Sequence, residues 1–293
     1  MKVACGYTIP ITLFGIPPSP ADHLKGMEIM GQAGFKAIEI EFYDTLVAEH
    51  RRDLPQMKAI VEKYGLRVAS IMAVEEMMFS LDPALKNKAL HDYDQLTDLI
   101  AELGAPLVSI CGYMPPEIRS AGTELYVGGP PTAVSVGPEF CWSSFWDNAV
   151  DVFRQCAITA ERKGLTLIIE TRANDVFGST DALINLIRES GASHAGVILD
   201  VAHVHAGKEY LGLVIPKLGK LIKLAHFSDN DGSHAYHYAP GKGNIDFRAV
   251  VQSLKRAGFD GTIVVDISGV DNIVAEAVKA RDFFQSLITE VKL

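Results

Sequence analysis

The chain has 293 residues, of which 48% are hydrophobic, and a formal net charge of −9 at neutral pH. This content is sufficient for a large apolar core, and we predict one domain over residues 1–293. The negative charge argues against a nucleic-acid partner, which normally needs a basic face. No apolar run has the length of a membrane span, and the N-terminus lacks the apolar segment of a secretion signal. We therefore predict a cytoplasmic protein with no membrane partner.

Apolar runs typical of β-strands alternate with amphipathic runs typical of helices along the whole chain. The predicted strands are Val3–Gly6, Ala37–Phe42, Arg67–Met72, Leu107–Cys111, Thr166–Glu170, Ala195–Asp200, Leu221–Phe227 and Thr262–Ile267. The predicted helices are Ala21–Ala33, Leu54–Tyr64, Pro83–Leu103, Ser144–Lys163, Thr180–Ser190, Tyr210–Leu218, Phe247–Ala257 and Ile273–Glu290. Eight such pairs in a chain of this length predict an α/β fold with a single (β/α)₈ barrel, and a doubly wound open sheet is the alternative.

One connection does not fit this alternation. Residues 112–142 follow the fourth predicted strand and are rich in proline and glycine. Compact domains seldom contain a structureless loop of this length unless it has a function. We expect a lid or a subunit contact at the carboxyl end of the barrel, with an incidental insertion as the alternative.

The last four predicted strands each end in a side chain that can bind a metal. These side chains are Glu170 in "TLIIET", Asp200 in "GVILDVAH", His226 in "IKLAHFSD" and Asp266 in "TIVVDISG". In a (β/α)₈ barrel all strands end at one mouth, where active sites lie. Three carboxylates gathered there would raise one another's pKa unless a cation balanced their charge. The pattern predicts one divalent metal ion, Mn²⁺ in the first place, with Co²⁺, Mg²⁺ or Zn²⁺ as alternatives.

A single acid at a strand end is more often the N-cap of the next helix than a metal ligand. Four metal-competent ends in consecutive strands are hard to explain by capping alone, so we favour the metal site. Other polar residues follow the same strands. We expect His203 to reach the mouth, Arg172 to hold a substrate oxygen or to form a surface salt bridge, and Asp229 to orient a ligand histidine. The glycine-rich "APGKG" at 239–243 is expected to bring backbone close to a substrate.

These residues resemble a known family. The Glu at strand five, the Asp-x-x-His at strand six, the His-x-x-Asp at strand seven and the later "PGKGNIDF" look like the xylose-isomerase-like TIM-barrel superfamily. Within it, the sugar phosphate isomerase/epimerase branch includes ketose 3-epimerases, hydroxypyruvate isomerases and inosose dehydratases. The resemblance is specific over residues 164–270. It implies a metal bound by Glu170, Asp200 and His226, a substrate contact from His203, and a homodimer or homotetramer.

One position departs from the family pattern. The fourth ligand of the family is typically glutamate, and the matching residue here is Asp266. In the family's epimerases, the two glutamates exchange protons on opposite faces of one carbon, which makes Glu170 and Asp266 the catalytic pair here. Because aspartate is one methylene shorter, Asp266 could bind the metal without reaching that carbon. The histidines of the DNA-repair branch, which binds three zinc ions, are missing, so such a site is not expected.

The function predicted from these residues is a metal-dependent isomerase or epimerase of a small sugar that works through an enediolate. Glu170 is the expected base, Asp266 its partner, and His203, Arg172 and His237 are expected to contact the substrate. A dehydratase that uses His237 or His234 as the acid is the alternative enzyme. A barrel that binds sugar without turnover is the alternative from another class.

Overall fold

The computed structural model describes residues 1–118 and 134–292. Eight parallel strands form a closed barrel in which each strand pairs with the next and β8 pairs with β1. The strands are β1 (Lys2–Cys5), β2 (Ala37–Tyr43), β3 (Arg67–Val74), β4 (Leu107–Ile110), β5 (Thr166–Glu170), β6 (Gly196–Asp200), β7 (Ile222–Phe227) and β8 (Thr262–Val265). The predicted (β/α)₈ barrel is confirmed.

The helices of the described residues are α1 (Thr8–Phe14), α2 (Pro20–Gln32), α3 (Val47–Tyr64), α4 (Pro83–Leu103), α5 (Trp142–Arg162), α6 (Thr180–Ser190), α7 (Val201–Ala206), α8 (Leu211–Leu218), α9 (Phe247–Arg256) and α10 (Ile273–Glu290). Helices α4, α6 and α10 have the predicted bounds. The short helices α1 and α7 were not predicted, and α3 begins at Val47 instead of Leu54. Proline is best tolerated in the first turn of a helix, but Pro55 lies inside α3.

The ends of α4 illustrate why the sequence folds in this way locally. The side chain of Asp82 accepts hydrogen bonds from the first free backbone N–H groups of the helix, and Pro83 takes its first position. Gly104 ends the helix with φ of 87°, a conformation that favours glycine. None of the helices in the described ranges is long and apolar enough to cross a membrane.

The interior of the barrel determines where the polar side chains lie. A layer of small and aliphatic side chains, one from each strand, fills the barrel; its members are Ala4, Ala37, Ala69, Leu107, Ile168, Ile198, Leu224 and Val264. Residues two apart in a strand face the same side. Glu170, Asp200, His226 and Asp266 each lie two residues after a member of this apolar layer. The strand period therefore places these four side chains directly above the apolar layer, at the carboxyl mouth.

The long connection at 112–142 is described only at its two ends. Residues 119–133 lie outside the described residues, so the expected lid or subunit contact stays a prediction.

Candidate metal centre and active site

Glu170, Asp200, His226 and Asp266 converge at the barrel mouth. All four are buried, and each offers one ligand atom within 4.8 Å of the ligand atoms of the others. Nδ1 of His226 lies 2.9 Å from Oε1 of Glu170, 3.8 Å from Oδ2 of Asp200 and 3.7 Å from Oδ2 of Asp266. The imidazole thus presents one nitrogen to three carboxylates, an arrangement that one cation could bridge.

A carboxylate on β2, which is separated from β7 by β8 and β1 in the closed barrel, faces the other side of this imidazole. Nε2 of His226 lies 2.8 Å from Oε2 of Glu39, outside ideal hydrogen-bond geometry, and the hydroxyl of Ser70 donates to Oε1 of Glu39. A carboxylate behind a ligating histidine fixes the orientation of the ring and makes the other nitrogen a better ligand. Glu39 was not predicted from the sequence. It lies two residues after Ala37 of the apolar layer, the same offset as the four mouth residues, and this offset could have identified it.

Asp200 supplies the observation that tests whether the cluster suits a metal. Its Oδ1 accepts the backbone N–H of His203 at 2.8 Å, which caps α7. Its Oδ2 is fully buried and has no hydrogen-bond partner within residues 1–118 and 134–292. A buried carboxylate oxygen without a partner is costly, and a bound cation would remove that cost. The donor set, three carboxylates and one imidazole, fits a divalent ion such as Mn²⁺.

The pKa shifts within the cluster agree with a site for a cation. Burial raises the pKa of Asp200 to about 7. The charge of His237 acts in the opposite direction and lowers this pKa, whereas the charges of Glu170 and Asp266 raise it further. Burial opposes a charge on His226, but Glu39 and Glu170 raise the pKa of that ring well above its ordinary value. A protonated His226 is therefore the positive charge that the carboxylates hold when no metal ion is bound.

His203 and His237 lie together beside Asp266. Nδ1 of His203 lies 3.3 Å from the backbone nitrogen of Ala173, and the Nε2 atoms of the two rings are 3.3 Å apart, within hydrogen-bond distance of each other. Nδ1 of His237 lies 2.8 Å from Oδ2 and 2.9 Å from the backbone oxygen of Asp266. Although burial opposes its charge, Asp266 raises the pKa of His237 to about 9. The two histidines therefore form a chain of contacts from the pocket to the Asp266 carboxylate of the candidate metal site.

Arg172 lies in the wall of the pocket, not on the surface. Its Nη1 is 3.6 Å from Oδ1 of Asp175, its Nε is 3.8 Å from Oε2 of Glu170, and its guanidinium lies 5.2 Å from the centre of the Tyr113 ring. The surface salt bridge that the sequence left open as an alternative is wrong, because the side chain is 10% exposed. The charge of Arg172 is balanced by carboxylates in the wall.

A pocket opens above the cluster, with a wall that sequence reasoning missed. Tyr7, Ile11 and Ile16 from the α1 region line it together with Glu41 of β2. Glu41 lies two residues after Glu39 and so faces the mouth, and the Tyr43 hydroxyl donates to its carboxylate. Burial, with a contribution from the neighbouring carboxylates, raises the pKa of Glu41 to about 7. The two glutamates of "AIEIEF", spaced by two in a buried strand, were the available signal.

The expectation for Asp229 is wrong. Its carboxylate accepts the backbone N–H groups of Gly241, Gly243 and Ile245 at 2.8, 2.9 and 3.1 Å, and so it holds the loop that contains "APGKG". The carboxylate that faces a cluster histidine is Glu39 instead. Gly243 is required by packing, because a Cβ there would meet the carbonyl oxygen of Asn230.

A family model described as xylose isomerase-like TIM barrel matches residues 28–287. The chain belongs to this family. Among curated proteins, this xylose isomerase-like barrel is 22% identical over 161 residues to an inosose dehydratase of Geobacillus thermodenitrificans, which covers 48% of the chain and 54% of that protein. It is 24% identical over 126 residues to a fructoselysine 3-epimerase of Escherichia coli O157:H7, covering 42% and 46%. The chain spans about half the length of the curated relatives it matches.

Solved structures share the fold over nearly the whole chain. D-psicose 3-epimerase of Clostridium cellulolyticum H10, determined with D-tagatose, has a TM-score of 0.77 at 17% identity and covers 98% of this chain and 99% of its own. A xylose isomerase-like TIM barrel protein of Mycobacterium smegmatis in complex with magnesium has a TM-score of 0.75 at 16% identity, covering 98% and 96%. At these identities the likeness shows the fold alone.

Proposed function

We propose that this xylose isomerase-like barrel is a divalent-metal-dependent isomerase or epimerase of a small sugar. The observation that carries the proposal is the buried convergence of Glu170, Asp200, His226 and Asp266. One oxygen of Asp200 has no hydrogen-bond partner in the part of the chain that the structure describes. The names of the relatives, an epimerase and a dehydratase of sugar-like substrates, support the substrate class.

The same four side chains would hold the metal, with Glu39 orienting His226. A bound divalent ion would act as a Lewis acid that stabilises negative charge on the substrate oxygens. The imidazole among the donors favours Mn²⁺ or Co²⁺ over Mg²⁺, the ion bound by the Mycobacterium smegmatis protein.

Proton transfer would rest on the two carboxylates that face the pocket. Burial opposes its charge, but His226 and Arg172 hold the pKa of Glu170 well below its usual range. Glu170 is therefore ionised, which is the form that would accept a proton from the carbon next to a carbonyl group. Asp266, or the His237 that is hydrogen-bonded to it, would return a proton to the resulting enediolate. Return to the opposite face of the same carbon gives an epimer, and return to the neighbouring carbon gives an isomer. His203 and Arg172 would bind substrate oxygens.

The charges of the pocket favour an uncharged sugar over a phosphorylated one. Glu39, Glu41, Glu170 and Asp266 line it, and Arg172, the guanidinium in its described lining, already faces Asp175 and Glu170. His226 and His237 of the lining are likewise already paired with carboxylates. A phosphate group would have to compete with these carboxylates for its cationic partners, which is unfavourable in a buried pocket.

A dehydratase is the second candidate, and two observations favour it. An inosose dehydratase is among the relatives. His237 lies next to the shorter Asp266, where it could protonate a leaving hydroxyl group while Glu170 removes the proton. Such an elimination yields a conjugated product that absorbs ultraviolet light, whereas an isomerase or epimerase yields a second sugar.

The test uses the full chain, freed of metal by a chelator and then supplied with Mn²⁺. Ketohexoses and ketopentoses are offered in ²H₂O, with detection by chromatography and mass spectrometry. With wild type, the proposal predicts a new sugar that carries one deuterium. With Glu170→Gln, which keeps the shape of the side chain but removes the base, it predicts no new sugar. If no sugar is converted and none exchanges hydrogen for deuterium, the proposed activity is wrong.

A single domain over residues 1–293, a homo-oligomer and a cytoplasmic location stay predictions.

A further inference from the structure

A second group of carboxylates lies beside the barrel mouth, outside the pocket described above. Asp44 directly follows β2, Glu75 directly follows β3, and Asp92 lies on the buried face of α4. Their ligand oxygens lie within 4.8 Å of one another. Two strand ends and one helix thus bring three acids together.

Among residues 1–118 and 134–292, the neighbouring side chains do not balance the charges of this group. Nζ of Lys88 lies 2.5 Å from Oδ2 of Asp92, and its charge also acts on Asp44 and Glu75. The side chain of Lys88 is 66% exposed, so it neutralises the group from the solvent side. With one lysine and three ionised acids, the formal charge is about −2, which one divalent cation would balance.

Glu75 provides an independent sign of a missing partner. The residue is 3% exposed, and its Oε1 accepts the backbone N–H of Met77 at 3.0 Å. Its Oε2 is buried and has no hydrogen-bond partner in the described parts of the chain. Burial, together with the charge of Asp44, raises the pKa of Glu75 to about 7, as expected for a carboxylate that lacks a counter-ion.

We propose that Asp44, Glu75 and Asp92 bind a second divalent cation, Ca²⁺, which fastens α4 to the ends of β2 and β3. The ligands are oxygens without histidine or cysteine, which selects a hard ion. Ca²⁺ binds oxygens at about 2.3–2.6 Å, so oxygens up to roughly 5 Å apart can share it, whereas Mg²⁺ needs a tighter cage. This site differs from the mouth cluster in ligand type and therefore in preferred ion.

The test separates the two sites. The parent protein carries Glu170→Gln and Asp200→Asn, which disable the mouth cluster, and it is freed of metal by a chelator. At a Ca²⁺ concentration of about one hundred times Kd, its melting temperature should rise by about 4 °C. Glu75→Gln in this background should lose the rise. Asp98→Asn, which removes an exposed carboxylate from the same helix, should keep it.

Asp44→Asn is the second test variant in case Glu75→Gln does not fold, and it should also lose the response to Ca²⁺. The absence of any rise in the parent would show that Lys88 and bound protons suffice for the three acids, and it would overturn the proposal. An equal rise in the parent and in both site variants would place the ion elsewhere and would also overturn it. None of these outcomes depends on turnover of a sugar.

Discussion

Oε2 of Glu39 lies 2.8 Å from Nε2 of His226. The opposite nitrogen of the same ring faces Glu170, Asp200 and Asp266. The imidazole is thus oriented from behind by a strand that the sequence pattern did not connect with the site, and this makes Glu39 a positioning residue for a metal ligand.

We expect Glu39→Gln to weaken Mn²⁺ binding by roughly 10- to 100-fold, because the amide no longer increases the basicity of His226. Isothermal titration of the chelator-treated protein measures this affinity. Glu62→Gln, an exposed substitution on α3, is the control and should leave it unchanged. Equal affinities in the Glu39 variant and wild type would contradict a positioning role.

The titration of Glu41 should be visible in stability. Burial raises its pKa in the folded protein from 4.5 to about 7, so the folded state binds this proton more tightly than the unfolded state. The corresponding stability is fully present below pH 4.5 and is lost as the pH rises to 7. Glu41→Gln should therefore reduce the fall in unfolding free energy between pH 5 and pH 7.5, by up to about 3 kcal/mol. Urea unfolding of the metal-free protein measures this, and an unchanged pH slope would contradict it.

Asp266 should control the protonation of His237. The pKa of that ring is about 9 in the metal-free protein, mainly because the carboxylate of Asp266 outweighs the effect of burial. Asp266→Asn removes the negative charge, and we expect the pKa of His237 to fall by at least one unit. Proton NMR titration of the histidine rings reports this, with the exposed His194 as an internal reference. A His237 titration that is the same in both proteins would show that another group raises its pKa.

The loop held by Asp229 should depend on Gly243. A methyl group there would meet the carbonyl oxygen of Asn230 and the carboxylate of Asp229, so we expect Gly243→Ala to cost about 1–3 kcal/mol of stability. Gly212→Ala is the matched control, because the added Cβ meets no described residue within 4 Å apart from its own chain neighbours and helix backbone. Chemical denaturation compares the two variants. A Gly243 variant as stable as the control would mean that this loop moves aside without cost.

The order of strands and helices was predictable because each buried strand is a short apolar run and each helix is amphipathic. The side chains at the carboxyl ends of β5 to β8 were predictable for the same reason, since Glu170, Asp200, His226 and Asp266 interrupt apolar runs. The predicted end of the eighth strand at Ile267 is wrong, because β8 ends at Val265. Glu41 was missed because it lies inside β2 and not at the end of a strand, although the glutamates of "AIEIEF" also interrupt an apolar run.

Other features depended on contacts that the local sequence does not reveal. Asp229 was misinterpreted because its backbone partners come from a loop more than ten residues later along the chain. The helix α1, which lines the pocket through Ile11, was not predicted because its segment "TIPITLF" contains a proline and several β-branched residues, which lower helix propensity.

The most direct test of the metal centre is anomalous X-ray diffraction from crystals grown with Mn²⁺. The account predicts an anomalous peak enclosed by Glu170, Asp200, His226 and Asp266, about 2.0–2.6 Å from their ligand atoms. Well-ordered density for all four side chains without an anomalous peak between them would contradict it.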